Sequence, residues 1–188
     1  SYLQWSSMPD DEQPMLAAAG ALNEPATQRK QVARMLADPK GRRFVGNFTR
    51  IWLELDNIGK MPPSKDLLTY YRDNLESAMR RETEHFFGHI LDKNLPLREF
   101  LAADYSFLNR ELAGHYGRPG LKGNHFRKVS LPNASRGGIL GHGSFLTASA
   151  NGVDTSPVVR GIYVMNKLLN FTPPPPPDDV PAIEPDVR

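Results

Sequence analysis

Cysteine is absent from the 188 residues of this chain. Disulfides, thiolate metal sites, a cysteine nucleophile and covalent c-type haem attachment within the chain are therefore excluded, while the compartment is left open. Long apolar runs are missing too. Nothing approaches the roughly 18 to 20 consecutive apolar residues of a membrane helix, and the opening residues Ser1 to Trp5 have neither a charged n-region nor an apolar h-region. The formal charge of +2 is too small to draw the whole molecule to nucleic acid or anionic lipid. What is present is a hydrophobic content of 39%, enough to build a core. A chain that opens at Ser1 and stops inside a proline-rich acidic run reads as part of something larger.

Charge is unevenly spread. Residues 1–103 hold 14 basic and 14 acidic side chains, residues 104–172 hold 8 basic and 3 acidic, and residues 173–188 hold 4 acidic and 1 basic with seven of the seventeen prolines. Because proline fixes φ and removes a backbone donor, Pro173 to Pro177 should be polyproline II and the stretch to Arg188 an extended arm.

Helical periodicity recurs before that arm. Ser7 is placed to cap a helix stopped by Gly20, and a second helix should run from about Pro25 to Asp38, ended by Pro39. A third, about Gly41 to Leu55, carries Phe44, Phe48, Ile51, Trp52 and Leu55 as an apparent core face. The longest pattern, about Lys65 to Lys93, has the stripe Leu68, Tyr71, Leu75, Met79, Phe86 and Ile90, with Glu82 in its one missing position. That carboxylate either reaches water at the stripe's edge or pairs with Arg43 or Arg50 of the preceding helix. Two short helices around a turn at Asp104-Tyr105-Ser106 should end at Gly117. Residues 117–135 read as loop with a hint of extended chain at Phe126 to Leu131, and Arg136 to Leu146 as a glycine-rich stretch with a short helix. The last helix starts with Ser156 as cap and Pro157 in the first position, and its apolar circumference predicts burial. The sum is a mostly α chain, an irregular bundle of about seven helices with a basic loop-rich region and a C-terminal polyproline arm.

Few side chains propose chemistry. His85 and His89 are one helical turn apart, with Glu82 or Asp92 as possible oxygen ligands, but the segment lacks HExxH and both imidazoles read as a solvated face. Ser144, His142 and Asp154 do not form a G-x-S-x-G elbow, and the glycines at 137, 138, 141 and 143 satisfy no phosphate-binding pattern. The basic group Arg118, Lys122, Arg127, Lys128 and Arg136, with Tyr116 and Phe126, suits a protein or a propionate-bearing cofactor on a neighbour better than nucleic acid. Arg160, in the first turn of an apolar helix, should either emerge into solvent or pair with a specific buried acceptor, the pairing being favoured, with a ligand-facing role as the further reading.

Ordered motifs add a family resemblance. Asn109-Arg110-Glu111-Leu112-Ala113-Gly114-His115-Tyr116-Gly117, Arg136-Gly137-Gly138-Ile139-Leu140, Thr155-Ser156-Pro157-Val158-Val159-Arg160-Gly161 and the Pro173 to Pro177 run resemble the planctomycete-type DUF1592 and DUF1588 domains. Met35-Leu36-Ala37-Asp38-Pro39 and Glu82-Thr83 resemble the first of these, or the short DUF1595-like segment before it. The resemblance implies a DUF1592-like helical region over 1–116, a DUF1588-like region over 117–172 and a linker over 173–188. It implies a place in large exported bacterial proteins, periplasmic or extracellular, with haem c on an adjoining domain or partner chain and none in this one. In that setting the chain would be a non-catalytic scaffold or docking portion of a cytochrome assembly. The alternatives are the substrate-pocket portion of a haem-dependent oxidoreductase and a carbohydrate-associated module, the last requiring exposed Trp5 and Trp52. Arg136, His142 and Arg160 would be the possible contacts to a neighbouring haem or substrate, His142 standing where many relatives have another residue.

Overall fold

The computed structural model describes residues 1–60, 73–118, 120–131, 136–150 and 156–174. Leu68, Tyr71, Asp154 and the arm beyond Pro174 lie outside them. The described chain is mostly helical: α1 (Tyr2–Trp5), α2 (Glu12–Ala18), α3 (Pro25–Ala37), α4 (Arg42–Trp52), α5 (Asp73–Asp92), α6 (Glu99–Ala102), α7 (Arg110–His115), α8 (Gly143–Ala148) and α9 (Pro157–Leu168). A two-stranded antiparallel ribbon, β1 (Tyr105–Leu108) with β2 (Arg127–Ser130), completes it.

Boundary chemistry explains most ends. Asn109 and Ser156 cap α7 and α9 by accepting from the amides of Leu112 and Val159. Gly117, at φ +67°, closes α7 while the Arg118 amide reaches back to the Ala113 carbonyl. The helix expected from Ser7 to Gly20 is only the shorter α2, Glu12–Ala18, and a further short helix, α1, precedes Ser7. Ser7 donates to the Met8 carbonyl rather than capping, and Trp5 is sealed between α1 and α3 with its indole N–H on the Met35 carbonyl. The turn expected at 104–106 is strand, because Tyr105 to Leu108 pairs with Ser130 to Arg127, confirming the extended hint on the partner side.

Helix α5 is the central element, contacted by α4, α6, α7, α8 and β1. One core lies where Phe86 and Ile90 meet Leu53, Leu55, Tyr105, Ile139, Phe145 and Tyr163. The other gathers Leu75 and Met79 with Leu108, Leu112 and Leu131. Burial of these side chains supplies the main driving force. Two expected core faces are core only in part. Of the face read along α4, Leu55 is buried and Phe44, Phe48 and Trp52 lean on Phe87 of α5, but Phe48 stays 38% exposed and Ile51 is exposed, while the helix's fully covered residues are Val45 and Thr49. On α9 only Tyr163 is buried, and Val158, Val159 and Ile162 stay exposed because one side of this helix meets the rest of the described chain. The basic side chains are partly tied down: Arg118 donates to the Ser130 carbonyl, Arg127 to that of Lys122, and the Lys128 ammonium stands 3.6 Å from the Tyr105 ring centre.

Candidate functional site: a buried polar junction

Position 82 falls on the apolar stripe of α5 between Met79 and Phe86, and β1, α7 and α8 close over that face. Glu82 is thus sealed at 0% exposure, neither wet nor paired with an arginine. Arg43 donates to the Trp5 carbonyl and Arg50 pairs with Asp56 at 2.5 Å, since both point away from α5 toward α1 and the 55–57 turn. The carboxylate's partners are hydroxyls: Ser106 Oγ donates to Oε1 at 2.6 Å and Tyr116 Oη donates to Oε2 at 2.6 Å. Tyr116 Oη in turn accepts from the Gly143 amide at 2.7 Å. Burial pushes the Glu82 acid up to about 7, the hydroxyl donors, the Gly143 amide and the Arg136 charge opposing it only in part.

His142 is buried beside it, with Nδ1 3.0 Å from Thr83 Oγ1, Nε2 3.5 Å from Ser106 Oγ and its ring edge on Phe86. Desolvation lowers its pKa to about 3, so the imidazole is neutral at ordinary pH. Thr83 Oγ1 also lies 2.6 Å from Ser144 Oγ, which places a hydroxyl between His142 and Ser144 in the bonding order rather than a nucleophile on a base. Gly143 admits this closeness, because a Cβ there would stand 2.9 Å from Met79 Cγ and 3.0 Å from Tyr116 Oη.

The other two residues picked from the sequence fasten the same segment. The Arg136 guanidinium lies 4.2 Å from the Tyr116 ring centre and 3.5 Å from the Gly141 carbonyl. Arg160 donates to Ser149 Oγ at 3.2 Å and to the Leu146 carbonyl at 3.4 Å, the specific pairing expected of a guanidinium on that helix. Arg136, His142 and Arg160 therefore all act on residues 136–149, while Thr83, Ser106 and Tyr116 enter the junction without having been singled out as site residues. The register of β1, hidden in a segment read as a turn, is the signal that would have found Ser106.

The larger openings described lie elsewhere. A polar cleft of about 510 Å³ includes Arg42, Arg81, Glu84, His85, His89 and Asp92. Here His85 stacks on Phe126 and Arg42 pairs with Asp92 at 2.6 Å. Among the described residues no group of three His, Asp or Glu side chains is placed to hold a metal ion. An apolar groove of about 520 Å³ is walled by Phe48, Trp52, Phe87, Phe100, Leu97 and Leu101, with the Trp52 indole N–H held by the Lys167 carbonyl.

These features define a helical module in which a buried acid, hydroxyls and an imidazole stitch two stretches of chain together. Residues 1–117 match PSD4, a protein of unknown function (DUF1592), and the chain belongs to that family. Residues 136–188 match PSCyt3, a second domain of unknown function (DUF1588). No curated protein and no solved structure matches the chain. The junction lies between the two matched stretches: Glu82, Thr83, Ser106 and Tyr116 belong to the first, and Arg136, His142, Gly143, Ser144 and Arg160 to the second.

Proposed function

We propose that this chain is a non-catalytic scaffold and docking portion of an exported c-type cytochrome assembly, with haem c carried by an adjoining domain or partner chain. The observation that carries this reading is the contrast between a polar centre whose groups are satisfied inwardly and an aromatic groove that the described residues leave open. Leu97 at 80%, Ile51 at 67% and Leu101 at 56% exposure extend the apolar surface beside Phe48, Trp52 and Phe100. Exposed apolar surface of this kind, uncovered among the described residues, is characteristic of an interaction face. The name of the second matched domain, PSCyt3, supports a cytochrome as the occupant.

The chain's own residues do not fit a covalently attached haem. There is no thiol to carry it, and both ring nitrogens of the buried His142 are turned to Thr83 and Ser106. In this reading Arg136, His142 and Arg160 hold segment 136–149 in place and touch neither haem nor substrate. Among the described residues no helix is long and apolar enough to cross a membrane.

The test is spectroscopic. The native full-length protein should show a Soret band while this chain alone is colourless, and the haem-bearing part should protect residues 87–101 from hydrogen exchange. The double variant W52A/F100A should lose that protection. A native protein without haem, or protection confined to another face, would overturn the reading.

A further inference from the structure

Five side chains of the junction form an unbranched row. From Glu82 Oε1 to Ser106 Oγ is 2.6 Å, from Ser106 Oγ to His142 Nε2 is 3.5 Å, from His142 Nδ1 to Thr83 Oγ1 is 3.0 Å and from Thr83 Oγ1 to Ser144 Oγ is 2.6 Å. Each interior member has one hydrogen to give along the row, a hydroxyl through its O–H and a neutral imidazole through one ring nitrogen while the other accepts. Only two hydrogen orders then satisfy every link. With Glu82 ionised, Ser106 donates to Glu82, His142 donates from Nε2 to Ser106, Thr83 donates to His142 Nδ1 and Ser144 donates to Thr83. With Glu82 protonated at Oε1, every link reverses: Glu82 donates to Ser106, Ser106 to His142 Nε2, His142 from Nδ1 to Thr83, and Thr83 to Ser144.

We propose that this row is a proton-transfer path with Glu82 as its proton store, in which protonation of Glu82 and the tautomer of His142 change together. The step balances hop by hop. Ser144 passes its hydroxyl hydrogen to Thr83, Thr83 passes its own to His142 Nδ1, His142 releases the Nε2 hydrogen to Ser106, and Ser106 hands its hydrogen to Glu82 Oε1. A hydronium ion from solvent restores the Ser144 hydroxyl, so one positive charge enters and neutralises one carboxylate. Since Ser144 is itself buried, the exchange with water accompanies a transient opening of α8.

The surroundings assign the two roles. His142 is buried away from water, which keeps it neutral, so it relays a proton without retaining one. Tyr116 donates to Oε2, the oxygen outside the row, and its phenol is held well above its ordinary range, so that bond survives in both orders. The groups facing Glu82 are Ser106 from β1, Tyr116 from α7, the Gly143 amide and His142 beside α8, and the charge of Arg136. This inference is independent of the docking reading.

The experiment is nitrogen NMR of histidine-labelled protein as a function of pH, with His142 assigned by the loss of its signals in H142N. The wild type should convert from the Nε2–H tautomer to the Nδ1–H tautomer as pH falls through about 7, in step with the carboxylic acid carbonyl stretch of Glu82 in infrared difference spectra. E82Q should hold one tautomer throughout. S106A cuts the row while keeping Glu82, so the infrared band should still titrate and the tautomer should no longer follow. A wild-type tautomer that does not change, a switch that persists in S106A, or an imidazolium in place of a tautomer would overturn the proposal. If E82Q does not fold, S106A alone decides it.

Discussion

Glu82 and Tyr116, 34 residues apart in sequence, meet at 2.6 Å in the interior, and the same phenol oxygen receives the amide of Gly143. One side chain thus joins the long helix of the first matched stretch to the start of a helix in the second. A carboxyl buried in this way is tolerated because both oxygens have donors, and it still carries a desolvation cost that makes the fold sensitive to pH.

That sensitivity has a definite shape. Glu82 rises from 4.5 to about 7 on folding, so between those values the folded state binds more protons and stability falls as pH rises. His142 drops from 6.5 to about 3, so over that interval the unfolded state binds more protons and stability rises with pH. The two slopes oppose each other between 4.5 and 6.5. Urea unfolding of the wild type should therefore give little pH dependence in that interval from this pair. E82Q removes the falling arm, on the order of 3 kcal/mol over its full span, and should leave stability rising with pH up to about 6.5. Parallel pH profiles for the two proteins would refute the burial of an ionisable Glu82.

Y116F keeps the ring beneath Arg136 and removes only the oxygen. It deprives Glu82 of one donor and leaves the Gly143 amide without its acceptor. The expected loss is about 1 to 3 kcal/mol of unfolding free energy, the usual cost of stranding a buried polar group. Because ionised Glu82 loses a donor, the carboxyl titration should also move upward. A variant as stable as the wild type, with that titration unchanged, would contradict the junction geometry.

The sequence made the helical class, the caps at Ser156 and Gly117 and the oddity of Glu82 visible, because periodicity, proline and glycine are local signals. Which face of a helix is covered is not local. Ile51 on α4 and Val158 on α9 have the pattern of core residues but are 67% and 70% exposed, and Phe48, though it packs on Phe87, is covered only in part. Glu82 illustrates the same limit from the other direction. Its stripe position was evident, but its partners come from a β-ribbon and from the end of a short helix, contacts that only the tertiary arrangement fixes. Arg136, His142 and Arg160 were recognisable as unusual, although the sequence could not show that all three would act on one segment.

Gly138 tests how tightly that segment is seated. Its φ of +61° disfavours any L side chain, and a Cβ would stand 2.6 Å from both the Phe100 and Leu101 carbonyl oxygens. Its amide also donates to the Ala103 carbonyl at 3.0 Å, so the chain has little freedom to retreat. G138A should cost at least about 1 to 3 kcal/mol from backbone strain alone. Thermal unfolding should show the loss, and a wild-type melting temperature would mean that α6 yields without cost.

Arg160 separates an inward role from a partner-facing one. Its two hydrogen bonds, at 3.2 and 3.4 Å, tie the first turn of α9 to the end of α8. The rest of α9 is held independently, by Tyr163 Oη donating to the Leu53 carbonyl and by the Trp52 indole donating to the Lys167 carbonyl. R160A should therefore loosen one end of the helix rather than release it. With each bond contributing on the order of 0.5 to 1.5 kcal/mol, amide exchange near residues 146–149 and 157–160 should quicken about fivefold or more, while residues 163–168 stay protected. If the native full-length protein carries the proposed haem, its midpoint potential should not move in R160A, since the guanidinium already has its acceptors within this chain. A shifted potential with unchanged exchange would instead place Arg160 against the electron carrier and require its inward bonds to be exchanged for outward ones on assembly.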